Sequence, residues 1–214
     1  MRTKSVAILA LLPAMATSCV EAPAPAGARG PLADAGGGEL VTFRLVDVMI
    51  SPTRLDGKPW DAVAHVDDPG ARDRILSAMN HASNAKGAYD AASSAMSKLG
   101  KEWGGLPDVA GTASVDVGDG KMQTYSFEGE KDSLTPHFAT RWEHVPLSHW
   151  TTVRMYFVDR EAAGKSDIGA VVLSPLDLAA ALEQRGKVHH VRVDDQTNGQ
   201  ILFVGIAVDA EGAS

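Results

Sequence analysis

The carboxylates that follow residue 158 are the side chains of this sequence best suited to chemistry. Asp159 and Glu161 come directly after an alternating apolar and polar run over residues 153–158, and Asp167 follows shortly afterwards. Carboxylates crowded into one short turn repel each other unless a cation or solvent lies among them. Hard cations such as calcium prefer oxygen ligands on flexible loops, so this stretch is either a metal-binding loop or an acidic, solvated hairpin tip. Its spacing is not that of an EF-hand.

Composition and charge limit the classes of function. The chain has 214 residues, of which 44% are hydrophobic and 22% charged, as in an ordinary globular domain. Its formal net charge of −7 argues against a nucleic-acid partner, because phosphate binding needs clustered Lys and Arg. The sequence contains no G-x-S-x-G, H-E-x-x-H or phosphate-cradling glycine loop, so we do not expect an enzyme.

The first residues indicate export and lipid attachment. Arg2 and Lys4 precede an apolar stretch over residues 6–16 that is too short to span a bilayer permanently. Small residues then lead to Cys19, the only cysteine of the chain, in a pattern that resembles the lipobox of bacterial lipoproteins. We therefore predict a lipoprotein signal peptide over residues 1–19, with Cys19 as the lipid attachment site. Plain secretion and an uncleaved anchor remain the alternatives.

A tether is expected between this cysteine and the folded domain. Residues 20–38 are rich in Ala, Pro and Gly and offer too little apolar surface to fold. Val20 after Cys19 is not an Asp retention signal, and by analogy this favours the outer membrane. The predicted location is the bacterial cell envelope, with the membrane as a partner through the lipid anchor.

The remaining chain alternates in the manner of β-strands. About eight short strands with polar turns between them can be traced over residues 39–210, and the opening strand changes phase at Val46, as a bulge would cause. Residues 67–105 instead carry apolar side chains at helical spacing, interrupted near Asn84 and Gly87. We predict an all-β fold: an antiparallel eight-stranded β-sandwich with a helical-hairpin insertion.

Three passages of the sequence form one pattern. They read V-T-F-R-L-V-D-V-M-I with D-G-K-P-W-D behind it, L-P-D-V-A-G-T-A-S-V-D-V, and V-R-M-Y-F-V-D-R-E-A-A-G-K-S-D-I-G. Together they resemble the C2 domain, a calcium-dependent lipid-binding β-sandwich. The resemblance places the helical insertion in the first ligand loop. The sequence departs from the family pattern at two points: Glu161 stands where an Asp is usual, and the third loop is shorter. The calcium ligands that the resemblance implies are Asp56, Asp61, Asp108, Asp159, Glu161 and Asp167.

Two functions follow from this reading. The first is a lipid-anchored envelope C2-like binding module, in which calcium bridges the carboxylates to phospholipid head groups or to an acidic partner. In that case Trp60 is the best candidate for a side chain that enters lipid, although it is equally suited to a core. The second is a metal-free structural or protein-interaction lipoprotein that uses the helical insertion as its contact surface.

Overall fold

The protein is represented by a computed structural model, which describes residues 39–61, 68, 70–99, 106–118, 122–161 and 164–211. The expected signal peptide and tether, including Cys19, lie outside the described residues. Within the described ranges, no helix has the length and apolar character needed to cross a bilayer.

The described part of the chain forms two four-stranded antiparallel sheets, which confirms the predicted all-β sandwich. The first sheet has the strand order β4-β1-β8-β7, and the second has the order β3-β2-β5-β6. The strands in chain order are β1 (Glu39–Ile50), β2 (Val109–Asp116), β3 (Met122–Glu128), β4 (His137–Leu147), β5 (Thr152–Glu161), β6 (Gly164–Leu173), β7 (His189–Arg192) and β8 (Ile201–Ala210).

The core between the sheets is built from the alternating side chains of their strands. Phe43 and Leu45 of β1 and Phe157 of β5 are each at most 1% exposed and belong to one cluster. The Phe43 ring stacks on Trp142 of β4 at a centroid distance of 5.0 Å. The register of β1 shifts between Leu45 and Asp47 against both neighbouring strands, as the change of phase in the sequence predicts.

Two helices cover the first sheet on the side away from this core. They are α1 (Ala71–Asn80) and α2 (Ala85–Met96), and the Asn84 side chain caps α2 by accepting a 2.8 Å hydrogen bond from the Gly87 N–H. Their apolar stripe forms a second cluster with side chains of β1 and β8, including Met49 and Phe203. Because helices cover one of its faces and the core the other, β8 is buried almost throughout, which explains its nearly continuous apolar sequence.

A ring contact joins α2 to the sheet, at a histidine that also contacts β1. Tyr89 of α2 stacks on His190 of β7 at a centroid distance of 3.8 Å, and His190 Nε2 lies 3.1 Å from Asp47 Oδ1 of β1. Burial, reinforced by the negative charge of Asp47, raises the pKa of the Tyr89 hydroxyl. The described part of the helical stripe is thus used in packing on the sheet.

A third helix, α3 (Pro175–Glu183), leads from β6 of the second sheet back to the first sheet. It begins with a capping box, in which the Ser174 hydroxyl accepts from the Asp177 N–H and the Asp177 carboxylate accepts from the Ser174 N–H. The cap fixes the first turn of α3 at the end of the sandwich where β6 finishes.

Candidate functional site

The acidic end of the sandwich is the end where β1 and β5 finish and β2 begins. Asp159 lies there, with 2% of its surface exposed, opposite Val109 in the ladder between β5 and β2. Its Oδ1 accepts a 2.8 Å hydrogen bond from the Asp108 N–H, and Asp108 Oδ1 accepts a 2.9 Å hydrogen bond from the Asp132 N–H. The structure therefore brings two of the predicted ligands, Asp108 and Asp159, together. Each of their carboxylates already accepts a hydrogen bond from a backbone N–H.

Arg54 brings a positive charge to this end. Its Nη2 lies 3.9 Å from Asp159 Oδ2 and donates to Ser166 Oγ at 3.1 Å and to the Trp60 carbonyl at 2.5 Å. Its guanidinium carbon lies 5.7 Å from the centre of the Trp60 ring. The guanidinium thus joins the loop at residues 51–61 to β5 and β6, and it stands beside the carboxylate where the resemblance implies a calcium ion.

Trp60 belongs to the core. It is completely buried, and its Nε1 donates a 2.8 Å hydrogen bond to the Ser51 carbonyl. Of the two roles considered for this side chain, the structure shows the core role, so Trp60 does not enter lipid.

The other predicted ligands are spread over the acidic end. Asp56 is exposed, and its carboxylate lies 2.8 Å from Lys58 Nζ, whose hydrogen bond lowers the pKa of Asp56. Asp61 is half-buried in the same loop. Glu161 is the last residue of β5, but its side chain lies outside the described residues.

Asp167 lies on the opposite face of its sheet from Asp159. Ser166 is the cross-strand partner of Asp159, whereas Asp167 is the partner of Val158. Cross-strand partners share a face, and neighbours along a strand alternate between faces. The expectation that these carboxylates share one turn is therefore wrong: they stand in two paired strands, and a register shift between Phe157 and Val158 sets which face each one takes.

The described carboxylates are not arranged as a calcium site. Within the described ranges, no group of three or more His, Cys, Asp or Glu side chains could hold a metal. Calcium needs several oxygen ligands converging on one point, whereas Asp56 pairs with Lys58 and Asp167 lies across the sheet from Asp159. Asp159 and Asp108 instead accept backbone hydrogen bonds, and Asp56 pairs with Lys58 within its own loop.

A polar cleft of 380 Å³ opens at the same end, beside the first residues of β2. It contains both signs of charge, and the Arg160 guanidinium pairs with Glu128 across it. No motif in the sequence marks this cleft, because Lys131 and Arg160 come from separate strands and loops. Its lining residues are Asp108, Val109, Ala110, Glu128, Gly129, Lys131 and Arg160.

Comparisons with known proteins give a distant likeness of fold. No family model and no curated protein matches the chain. Human GIVD cytosolic phospholipase A2, in complex with methyl gamma-linolenyl fluorophosphonate inhibitor and terbium chloride, matches with a TM-score of 0.42 and 8% identity over 82% of this chain and 18% of that chain.

Two structures of extended synaptotagmin 2 are similar to a comparable degree. The structure that holds the SMP domain together with C2 domains A and B has a TM-score of 0.39 and 11% identity over 80% of this chain and 27% of that chain. The structure of C2 domains A and B without the SMP domain has a TM-score of 0.41 and 10% identity over 92% of this chain and 48% of that chain. The chain thus spans less than half the length of each matched chain, and likeness at this level carries no functional argument.

Proposed function

We propose that this chain is a lipid-anchored, non-enzymatic binding module of the bacterial cell envelope, which contacts a phospholipid surface without requiring calcium. The observation that carries the calcium-independent part of the proposal is the position of Arg54, 3.9 Å from the buried carboxylate of Asp159. A guanidinium at this point supplies the positive charge that a metal ion would otherwise bring to the acidic end.

The membrane part of the proposal is supported by the sequence before the domain. The positive residues, the short apolar stretch and Cys19 follow the order of a lipoprotein signal, and residues 20–38 have the composition of a flexible tether. Passages that resemble C2 domains occur in β1, before β2 and along the hairpin of β5 and β6. A sandwich attached in this way stays close to phospholipid head groups.

Protein interaction is the second candidate function, and the polar cleft favours it. Lys131 and Arg160 beside Asp108 and Glu128 offer both signs of charge to a polar partner group. The helical insertion is less suited to this role than the sequence indicates, because Ile75 and Met79 of α1 are at most 1% exposed against the sheet.

Vesicle binding with and without calcium tests the proposed function. The chain from residue 19 onward, with Cys19→Ser so that no lipid is attached, keeps all the described buried residues and is mixed with vesicles of phosphatidylethanolamine and phosphatidylcholine. We expect the sedimented fraction and the melting temperature to be equal in chelator and in millimolar calcium, since only a ligand of the native state raises the melting temperature.

Two results would contradict this expectation. Binding that requires calcium, together with a melting shift that disappears in Asp159→Asn and in Asp108→Asn, would establish the calcium site that the C2 resemblance implies. No binding in either condition would remove the phospholipid function and leave the protein-interaction candidate.

Lipid attachment has its own test. Cells that express the full chain are labelled with radioactive palmitate, and we expect label on the wild-type protein and none on Cys19→Ser, because the chain has no other cysteine. Ser18→Ala is the matched control and should stay labelled. Equal labelling of wild type and Cys19→Ser would show that the anchor is elsewhere.

A further inference from the structure

Large apolar side chains are exposed at the end of the sandwich opposite Asp159. Trp150, in the loop between β4 and β5, is 66% exposed, and Met122, the first residue of β3, is 55% exposed. Leu176 in the first turn of α3 is 80% exposed, and Leu40 near the start of β1 is 46% exposed. These four residues define what we call the apolar end.

Strand pairing places them at the same end of the sandwich. Asp116, the last residue of β2, pairs with Met122 on one side and with Thr152 on the other, next to the loop that carries Trp150. A Cβ at Gly118 would lie 2.9 Å from the Trp150 Cβ, so the loop that leaves β2 touches the tryptophan. At the same end, the last residue of β6 pairs with Val153 just before the chain enters α3, and the first residue of β1 pairs with the last residue of β4.

The chain enters the domain at this end. The segment that leads from Cys19 to β1 joins the sandwich at Glu39, whose cross-strand partner is Leu147. The acidic end lies at the other end of β5, a strand about 33 Å long. The apolar end is therefore the end of the domain at which the segment that follows Cys19 joins β1.

Two carboxylates at this end have side-chain partners. Asp209 lies 3.0 Å from the Arg44 guanidinium, and Glu211 lies 2.6 Å from His144 Nδ1. Hydrogen bonds from His144 lower the pKa of the Glu211 carboxyl, so this group stays ionised and paired at neutral pH. In the described part of the apolar end, the basic side chain of Arg44 lies beside a carboxylate, unlike the purely basic surface that attracts anionic lipid. Its chemistry suits the interfacial layer of a bilayer, where tryptophan is favoured together with partly buried apolar side chains.

We infer that the apolar end is a membrane-docking face, which places Trp150, Leu176 and Met122 in the interfacial layer of the bilayer that carries the anchor. The inference rests on the proposed function and adds which end of the sandwich touches lipid. It also implies that the acidic end and its cleft point away from that bilayer. The occupant of the apolar end is thus a phospholipid surface of low net charge, and a second copy of the chain is the competing occupant.

Paired surface variants test this assignment. In the unlipidated chain from residue 19 onward, Trp150→Ser combined with Leu176→Ser removes apolar side chains from the docking face, and Leu55→Ser removes one that is 50% exposed at the acidic end. Affinity for phosphatidylcholine vesicles is measured by sedimentation. Withdrawing two side chains that each bury apolar area in lipid is expected to weaken binding by at least about tenfold, whereas Leu55→Ser should bind like wild type.

Fluorescence gives an independent reading of the same contact. Trp60 is fully buried and Trp142 is 3% exposed, so among the described tryptophans Trp150 is the one that lipid can reach. Brominated phosphatidylcholine is expected to quench the emission of the wild-type chain, and the quenching should be lost in Trp150→Phe. The two chains are compared at lipid concentrations at which sedimentation shows equal bound fractions. Trp103, outside the described residues, is replaced by Phe in every sample so that it does not contribute.

Each outcome has a distinct meaning. Loss of vesicle binding in Leu55→Ser, but not in the double variant, would overturn the docking face and leave the proposed function intact. Absence of vesicle binding in the unaltered chain would overturn both. Concentration-dependent dimerisation that the double variant abolishes, with unchanged vesicle binding, would assign the apolar end to a second copy and overturn the inference.

Discussion

Replacing Arg54 with methionine is expected to lower the free energy of unfolding by about 3 kcal/mol. The variant removes a cation 3.9 Å from Asp159, whose side chain is 3% exposed, and it removes the donors to Ser166 Oγ and the Trp60 carbonyl. Breaking a buried pair by removing one partner costs about 3–5 kcal/mol, and we take the lower value because the Arg54 side chain is 30% exposed. Urea unfolding of the chain from residue 19 onward measures the change.

Lys58 provides the matched control for Arg54. It lies in the same loop and pairs with Asp56, but its side chain is 75% exposed, so Lys58→Met should change stability by less than about 0.5 kcal/mol. In a double variant, Arg54→Met with Asp159→Asn, the loss in free energy of unfolding should be smaller than the sum of the losses in the two single variants, because the two side chains interact. If Arg54→Met and Lys58→Met were equally mild, or if the double variant were additive, Arg54 would not hold the acidic end.

Gly111→Ala is expected to destabilise the sandwich by about 3 kcal/mol or to prevent folding. Gly111 is in β2, which pairs with β3 on one side and with β5 on the other. A Cβ at this position would lie 2.1 Å from the Tyr156 carbonyl oxygen and 2.6 Å from Phe127 Cζ. The oxygen belongs to the backbone of a paired strand, so it cannot move aside without disturbing the ladder.

Gly87→Ala is the opposite case and serves as the control. Gly87 is in α2, where an added Cβ would approach neighbouring atoms no closer than 3.4 Å. Alanine in a helix is favoured over glycine by about 1 kcal/mol, so this variant should melt higher than wild type. Thermal unfolding of the two variants side by side checks that the melting temperature falls in Gly111→Ala and rises in Gly87→Ala. A Gly111→Ala protein with wild-type stability would show that the two strands can separate locally at no cost.

The fold could be predicted because its determinants are local and periodic. Alternation marks the strands, helical spacing marks residues 67–105, and the change of phase at Val46 coincides with the register shift between Leu45 and Asp47. The cap at Asn84 falls between the two helical runs, where the sequence places the interruption. Each of these signals depends on residues that are neighbours along the chain.

The acidic end could not be predicted in the same way, because its geometry depends on residues that are distant in sequence. Arg54 follows Ser51 and Pro52 in a loop without periodicity, and nothing local indicates that it meets Asp159. The register shift between Phe157 and Val158 separates the faces of Asp159 and Asp167, and an alternating pattern does not reveal it. Trp150 has no periodic signal either, so its exposure is known only from the structure.

The position of β1 has a mechanical consequence. This strand receives the segment that leads from the expected anchor, and it is hydrogen-bonded along its length to β4 on one side and to β8 on the other. Ladder hydrogen bonds run perpendicular to the strands. Tension applied at Glu39 along the strand axis, against a load held at the acidic end, would therefore act on many of these bonds at once, in shear. An anchored sandwich of this design resists pulling as a unit and does not open one bond at a time.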